Sequence, residues 1–347
     1  MAIRDLIARL FGHTEPAAEG ELPPHLVALL PEAVDLVVNT VEPKLRYARG
    51  YPDRLEAAVR CTMVFLHDLA TDLPDPIELC TANWASDPRL NAFFASRDDI
   101  AAVMARSTEL RAFFDEVGNV GAEQAVAVLA MQRVERTVLG VALEGDTLRQ
   151  DVPQTSVSFS DPRIVIPAHN LAALRFELGS RTFRRLLNVA LERIEAIHQR
   201  GRRLSDRKAL LDTKLRRLEA RRGGLESLAE NPDAHAAEIE ALEGEFQQTK
   251  ADLAANRSTL ATLEDYLEQV TDVLTHPEQH IKQVKTPLRL NRMGVKVKGD
   301  SDEPVNEITV TEVSVGPNVW RTIAVVQCAR TDLPAKEDLL ARAERYL

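Results

Sequence analysis

Between residues 183 and 274 apolar side chains recur in steps of three and four for longer than a globular surface helix sustains. The first run passes through Phe183, Leu187, Ala190, Ile194, Ile197, Gly201, Leu204, Lys208, Leu211, Leu215, Leu218, Arg222 and Leu225, apolar at all but Gly201, Lys208 and Arg222. The second passes through Ile239, Leu242, Phe246, Thr249, Leu253, Asn256, Leu260, Leu263, Leu267, Val270 and Leu274, with Thr249 and Asn256 its exceptions. A 3.5-residue period held this long predicts a left-handed coiled coil. Packing on a globular core would widen the stripe and drift toward 3.6. Gly223-Gly224 weakens the helix between the runs and Asn231-Pro232-Asp233 stops it. A short link makes antiparallel neighbours the default. The pattern therefore predicts one hairpin over residues 171–280, with Leu218 facing Leu242, Leu211 facing Thr249, Leu187 facing Leu274 and Asn256 beside Leu204. A helical bundle and a coiled coil between two chains fit the same spacing.

Charge sharpens the pairing. Residues 181–222 hold fourteen Lys and Arg against five Asp and Glu, whereas residues 226–278 hold two against thirteen. Opposite charge beside an apolar seam favours one arm lying on the other. Each exposed pair contributes only about 0.3–0.5 kcal/mol, so the seam holds the arms and the charges select the partner.

Elsewhere the pattern changes. Ile3, Leu6, Ile7, Leu10 and Phe11 share one helical face in residues 1–12, a short amphipathic helix before a linker over 13–23. Such a helix suits a membrane surface, a partner's groove or its own protein. Residues 24–148 read as an all-helical domain, with one helix from Pro52 to Thr71, a capping box at Ser96 to Asp99, and a long buried helix from Ala122 to Leu143. The echo of Leu90-Asn91-Ala92-Phe93-Phe94 in Leu110-Arg111-Ala112-Phe113-Phe114 reads as core. Strands are expected at Thr155–Phe159 and Arg163–Ile166 around a Ser160-Asp161-Pro162 turn, and a hairpin joins Glu307–Val315 to Val319–Ala329. Residues 149–170 and 281–330 thus form a small β module, and 331–347 a C-terminal helix. The fold class is mainly α with a small β module: a helical N-terminal domain, and an antiparallel coiled-coil hairpin inserted between short β-strands.

Composition narrows the function. The net charge of −10 opposes general nucleic-acid affinity. Cys61, Cys80 and Cys328 are few, scattered and odd in number, which fits a reducing, cytoplasmic setting without a disulfide framework. No apolar run has the length of a signal peptide or a membrane span. Phosphate-binding loops, nucleophile elbows and zinc-binding helices are missing from the sequence. His276 and His280 flank Glu278, but Pro277 disturbs the helix that would align them. His67-Asp68 sits on an apolar helix as a half-buried pair. No cofactor, metal or catalytic residue is assigned.

One stretch invites an anionic partner: Lys282, Lys285, Arg289, Arg292, Lys296 and Lys298, with no acid from Ile281 to Gly299 and no aromatic to stack a base. Lysines guarding a sheet edge produce the same pattern. The function expected is a non-enzymatic coiled-coil adaptor or scaffold that binds a protein partner. It would touch a membrane peripherally through residues 1–12 or self-associate through the coiled coil. The alternatives are a nucleic-acid-associated protein using residues 282–298 and an enzyme with its site in the helical domain.

Overall fold

A computed structural model describes residues 22–144, 147–222, 232–297, 305–316 and 319–333. The expected helix bearing Ile3, Leu6, Ile7, Leu10 and Phe11 lies outside the described residues. So do Lys298, the turn between the two heptad runs, and the C-terminal helix beyond Leu333. In chain order the helices are α1 (Pro24–Val27), α2 (Leu30–Val41), α3 (Tyr51–Thr71), α4 (Pro88–Phe93), α5 (Arg97–Arg106), α6 (Thr108–Asp115), α7 (Leu171–Arg222), α8 (Pro232–Ser258) and α9 (Leu263–Thr275). The strands are β1 (Ile77–Glu78), β2 (Gln124–Glu144), β3 (Thr147–Ala168), β4 (Ile281–Leu290), β5 (Asn306–Val315) and β6 (Trp320–Ala329). The chain is mainly α, with one six-stranded sheet. The described residues fall into two units, one from 22–29, 63–183 and 277–333, the other from Leu30–Thr62 and Arg184–His276.

The first unit is built on β2. Its sheet runs β3-β2-β6-β5-β4, antiparallel except where the short β1 joins β6 in parallel at Ile77 and Val326. β2 pairs β6 from Gln124↔Ala329 to Met131↔Thr322 and β3 from Val126↔Ala168 to Glu144↔Thr147. Alternation sends Ala125, Ala127, Leu129 and Met131 into a core with Leu90, Phe93, Phe94, Ile100, Met104, Leu110 and Phe114 of the α4–α6 region. Val126 and Val128 point to the other face, against Leu73, Ile166, Leu174 and Val325. Each fully buried large apolar side chain contributes about 1.5–3 kcal/mol, so these two layers dominate the unit.

That double burial corrects the expected helix at Ala122–Leu143 and the all-helical reading of 24–148. Residues 124–144 are a strand. A strand covered on both faces reads as an unbroken apolar run, which periodicity alone does not separate from a buried helix. The β-branched Val126, Val128, Val134 and Val138 were the available signal.

β3 holds a second correction. Ser160-Asp161-Pro162 is no turn; the strand continues through it. Pairing with β2 shifts register three times, and each shift sits at a residue with positive φ: Asp151 at 58°, Asp161 at 52° and Ile166 at 57°. These are bulges, which absorb the extra residues of β3. Ile166 is the strained one, because a β-branched side chain disfavours the left-handed region. Its N–H donates to Glu109 Oε2 at 2.9 Å, and Ser107 Oγ donates to the Ile164 carbonyl at 3.0 Å, so the end of β3 is tied to α6.

In the second unit, α2, α3, α7 and α9 bury Val37 and Val38, Leu55 and Val59, Leu186 and Leu187, and Val270 and Leu274 respectively. Buried Thr62 donates to the Leu274 carbonyl at 2.6 Å. Arg193 pairs with Asp272, and His198 Nε2 lies 2.7 Å from the Tyr266 hydroxyl. Burial raises the Tyr266 pKa, so its hydroxyl keeps its proton.

The second heptad run is not one helix. α8 ends at Ser258, and α9 starts after a capping box in which Thr262 Oγ1 accepts from Asp265 N at 3.3 Å and Asp265 Oδ2 accepts from Thr262 N at 2.7 Å. The local capping preference of Thr262 and Asp265 overrides the heptad continuity of Leu260 and Leu263. The Ser96–Asp99 box forms as expected.

Replacing the α9 cap, Thr262→Ala, should lower the free energy of unfolding by about 1 kcal/mol in urea titrations. The same cap predicts an acid dependence. The Arg49 N–H holds the Glu264 carboxyl below its ordinary value, and the Thr262 N–H and hydroxyl do so for Asp265. Depressed carboxylates stabilise the fold above their unfolded pKa and lose that contribution as pH falls through the folded one. The Asp265→Asn variant should therefore lose less melting temperature than the parent between about pH 5 and pH 2.

Candidate functional site

Of the six basic positions expected to act together, Lys298 lies outside the described residues, and strand alternation disperses the three on β4. Lys285 and Arg289 share one face of β4, and Lys282 takes the other. Lys285 pairs with Asp72, whose second oxygen accepts from Gln283 at 2.8 Å. Arg289 Nε meets Glu307 at 3.0 Å, and Lys296 Nζ reaches both Glu135 oxygens at 2.8 Å. Lys282 and Arg292 are exposed and carry no ion pair among the described residues. Glu135 also lies 3.6 Å from Arg133, whose guanidinium holds Glu312 at 2.9 Å, so the lysine joins a mixed-charge network.

The first unit contains a cleft of about 910 Å³ between the α4 region, β3 and the ends of β4 and β5. Phe93 and Phe159 meet edge to face at 5.0 Å, and Trp84 is fixed by its indole N–H to the Phe94 carbonyl at 2.9 Å. Asn306 Nδ2 donates to Asn91 Oδ1 at 3.1 Å, and Arg292 stands at the rim. Its acid, Glu307, is engaged by Arg289. Amides, hydroxyls and a guanidinium over aromatic walls can hold a ligand. His67 is half-buried on α3 and does not line the cleft. Among the described residues no three His, Cys, Asp or Glu side chains gather closely enough to hold a metal ion. Burial pushes the Cys328 thiol up to about 12, which leaves it protonated and unreactive at neutral pH.

Helices α7 and α8 carry the most ordered charge. Burial follows the heptad positions: Leu211, Leu215, Ile239, Thr249 and Leu253 are buried, and Ile197, Leu204, Leu218, Leu242 and Phe246 partly so. Asn256 reaches across α7 at a notch. Its Nδ2 donates to the Ile197 carbonyl at 3.2 Å, and a methyl group at Gly201 would come within 2.9 Å of its Oδ1. The polar seam residue thus sits at Gly201, about one turn of α7 before the Leu204 expected for it. Lys208 Nζ stands 5.9 Å from the Phe246 ring centre, so this seam cation lies over an aromatic face.

Beside the seam, Arg200, Arg207, Lys214 and Arg221 recur every seven residues on α7, and Glu238, Glu245 and Asp252 do so on α8. Arg207 pairs with Glu245, and Lys214, Arg217 and Glu238 line one groove of about 510 Å³. One position further from the seam come Arg203, Leu210 and Arg217. Leu210 is 56% exposed. Arg200, Arg203, Lys214 and Arg217 are exposed and make no ion pair among the described residues. Sequence reading saw only the net charge of this helix; the heptad count, carried one position off the seam, would have found the stripe.

Comparison with protein-family models, with curated proteins and with solved structures gave no match.

The notch predicts a coupling. Gly201→Ala should gain helix propensity of about 1 kcal/mol only where the amide is gone. In an Asn256→Ala background it should stabilise, and in the parent it should stabilise less or destabilise. A double-mutant cycle by urea denaturation should give an interaction of at least about 0.5 kcal/mol.

Proposed function

We propose that the chain is a non-enzymatic adaptor that binds a protein partner along the outer face of α7, with α7 and α8 as an antiparallel coiled-coil hairpin set between strands β3 and β4. The observation that carries this reading is the stripe of Arg200, Arg203, Lys214 and Arg217 around exposed Leu210. Arg207 pairs with Glu245 of α8, and Glu238 lines a groove with Lys214 and Arg217 without an ion pair to either among the described residues. Four cations around one leucine match an acidic amphipathic helix whose apolar residue covers Leu210 while its carboxylates reach the flanking guanidinium and ammonium groups.

A reducing, cytoplasmic setting agrees with three cysteines that form no disulfide. No helix among the described residues is long and apolar enough to cross a membrane. A peripheral membrane contact through residues 1–12 is a separate part of the proposal, and liposome flotation of the chain with and without those residues tests it. The nucleic-acid alternative is weaker, because Lys285, Arg289 and Lys296 already face carboxylates.

A photo-crosslinking residue at position 210, introduced in the cells that make the protein, should yield a discrete adduct that position 237 on α8 does not. Arg203→Glu with Arg217→Glu should abolish it, and binding of the captured partner should weaken steeply as salt rises. An adduct indifferent to both charge reversals, or none at all from position 210, would overturn the proposal.

A further inference from the structure

β2 outruns its neighbour. Its pairing with β6 ends at Met131↔Thr322, and β6 begins at Trp320, opposite Arg133. From Val134 to Glu144 the side of β2 away from β3 has no strand partner among the described residues. An arm of two strands is left, and a lone two-stranded ribbon is marginally stable in water. Its free backbone groups are a template for another strand.

The two edges of this arm are not equivalent. On β3, Arg149, Asp151 and Pro153 fall within five residues, and Asp151 forms a bulge with φ of 58°. Charge, proline and bulge are the devices that keep an edge from pairing. Further along, the β3 edge is covered where Val157 N donates to the Gly294 carbonyl at 2.7 Å and Lys296 N to the Thr155 carbonyl at 2.8 Å. The β2 edge has no such guard. Thr137-Val138-Leu139-Gly140-Val141-Ala142-Leu143 contains no charge and no proline. Leu139 is 69% exposed and Val138 is 38% exposed.

We infer that the β2 edge is an interface on which a second copy of this chain adds its own β2, antiparallel, about a two-fold axis at Gly140. Of the registers centred on Leu139, Gly140 or Val141, it is the one that pairs a cation with an acid of the same strand. Centring on Gly140 sets Arg136 opposite Glu144 of the second copy, Val138 opposite Ala142 and Leu139 opposite Val141. Centring on Leu139 sets Arg136 against Ala142, and centring on Val141 sets Val138 against Glu144. The two-fold repeats each pair, so both ends of the joined strands close on an ion pair while the middle is apolar. Gly140 at the axis is covered by the Gln154 side chain of β3, with which a methyl group there would clash.

Sedimentation equilibrium of the full chain should show a dimer. Leu139→Lys should weaken it at least about tenfold, and so should Arg136→Glu, because the axis doubles each change. Adding Glu144→Arg to Arg136→Glu should restore it. Spin labels on Thr137→Cys, with Cys61 and Cys80 replaced by Ser, should lie about 20 Å apart, six residues along the joined strands. Circular dichroism would confirm that each variant keeps its fold, and the charge swap decides the matter should Leu139→Lys not fold. A chain that stays monomeric at about 100 µM, or a dimer unmoved by the charge reversal and its swap, would overturn the inference.

Discussion

The pairing of β2 with both β3 and β6 is the constraint on which the first unit depends. It joins Gln124 to Ala329 and Val126 to Ala168 through one eight-residue stretch. β3 and β4 occupy opposite ends of the sheet, and everything between Ala168 and Ile281 leaves from one and returns to the other. In chain order the long helices are therefore an insertion between β3 and β4. β3 follows β2 directly in the chain, whereas β6 lies far beyond it, so the second pairing is the slow one to form. Once formed, alternation on β2 gives a core on each face.

The elements most legible in sequence were those whose stability is periodic and local. The heptad run of α7 and the box at Ser96 announce themselves because the residues that matter are neighbours on one helix face. β2 was misread because both its faces are buried, so the polar alternation that marks a strand appears only after Met131. The break at Ser258 was missed because the heptad count passes smoothly across it; only the pairing of Thr262 with Asp265 gives it away. At Asp161 and Pro162 the residues of a turn serve a bulge instead, a distinction that needs the partner strand.

The candidate surfaces follow the same division. A linear count of cations from Lys282 to Lys298 gathers residues that a pleated strand sends to opposite faces, and it cannot supply Asp72, Glu135 or Glu307, which come from distant segments. On α7 a linear count also obscures the pattern, for the reverse reason: charges that look scattered fall into rows once the helical period is applied. Net charge describes neither surface. Its value of −10 is an average over a chain whose longest helix is strongly basic.

Two kinds of unsatisfied surface remain among the described residues, and they differ physically. The α7 stripe has satisfied backbone hydrogen bonds and free charge, so what it lacks is counter-charge, a long-range and salt-sensitive need. The β2 edge has little free charge and unsatisfied backbone, a short-range need that only a strand or water meets. A partner for the first can approach in many orientations and be steered; a partner for the second must match register residue by residue. A chain with both would select its copy by geometry and its partner by field. The Asp151 bulge has a role in that division, because with Pro153 it disarms the β3 edge of the ribbon and leaves the β2 edge as a face on which register can be read.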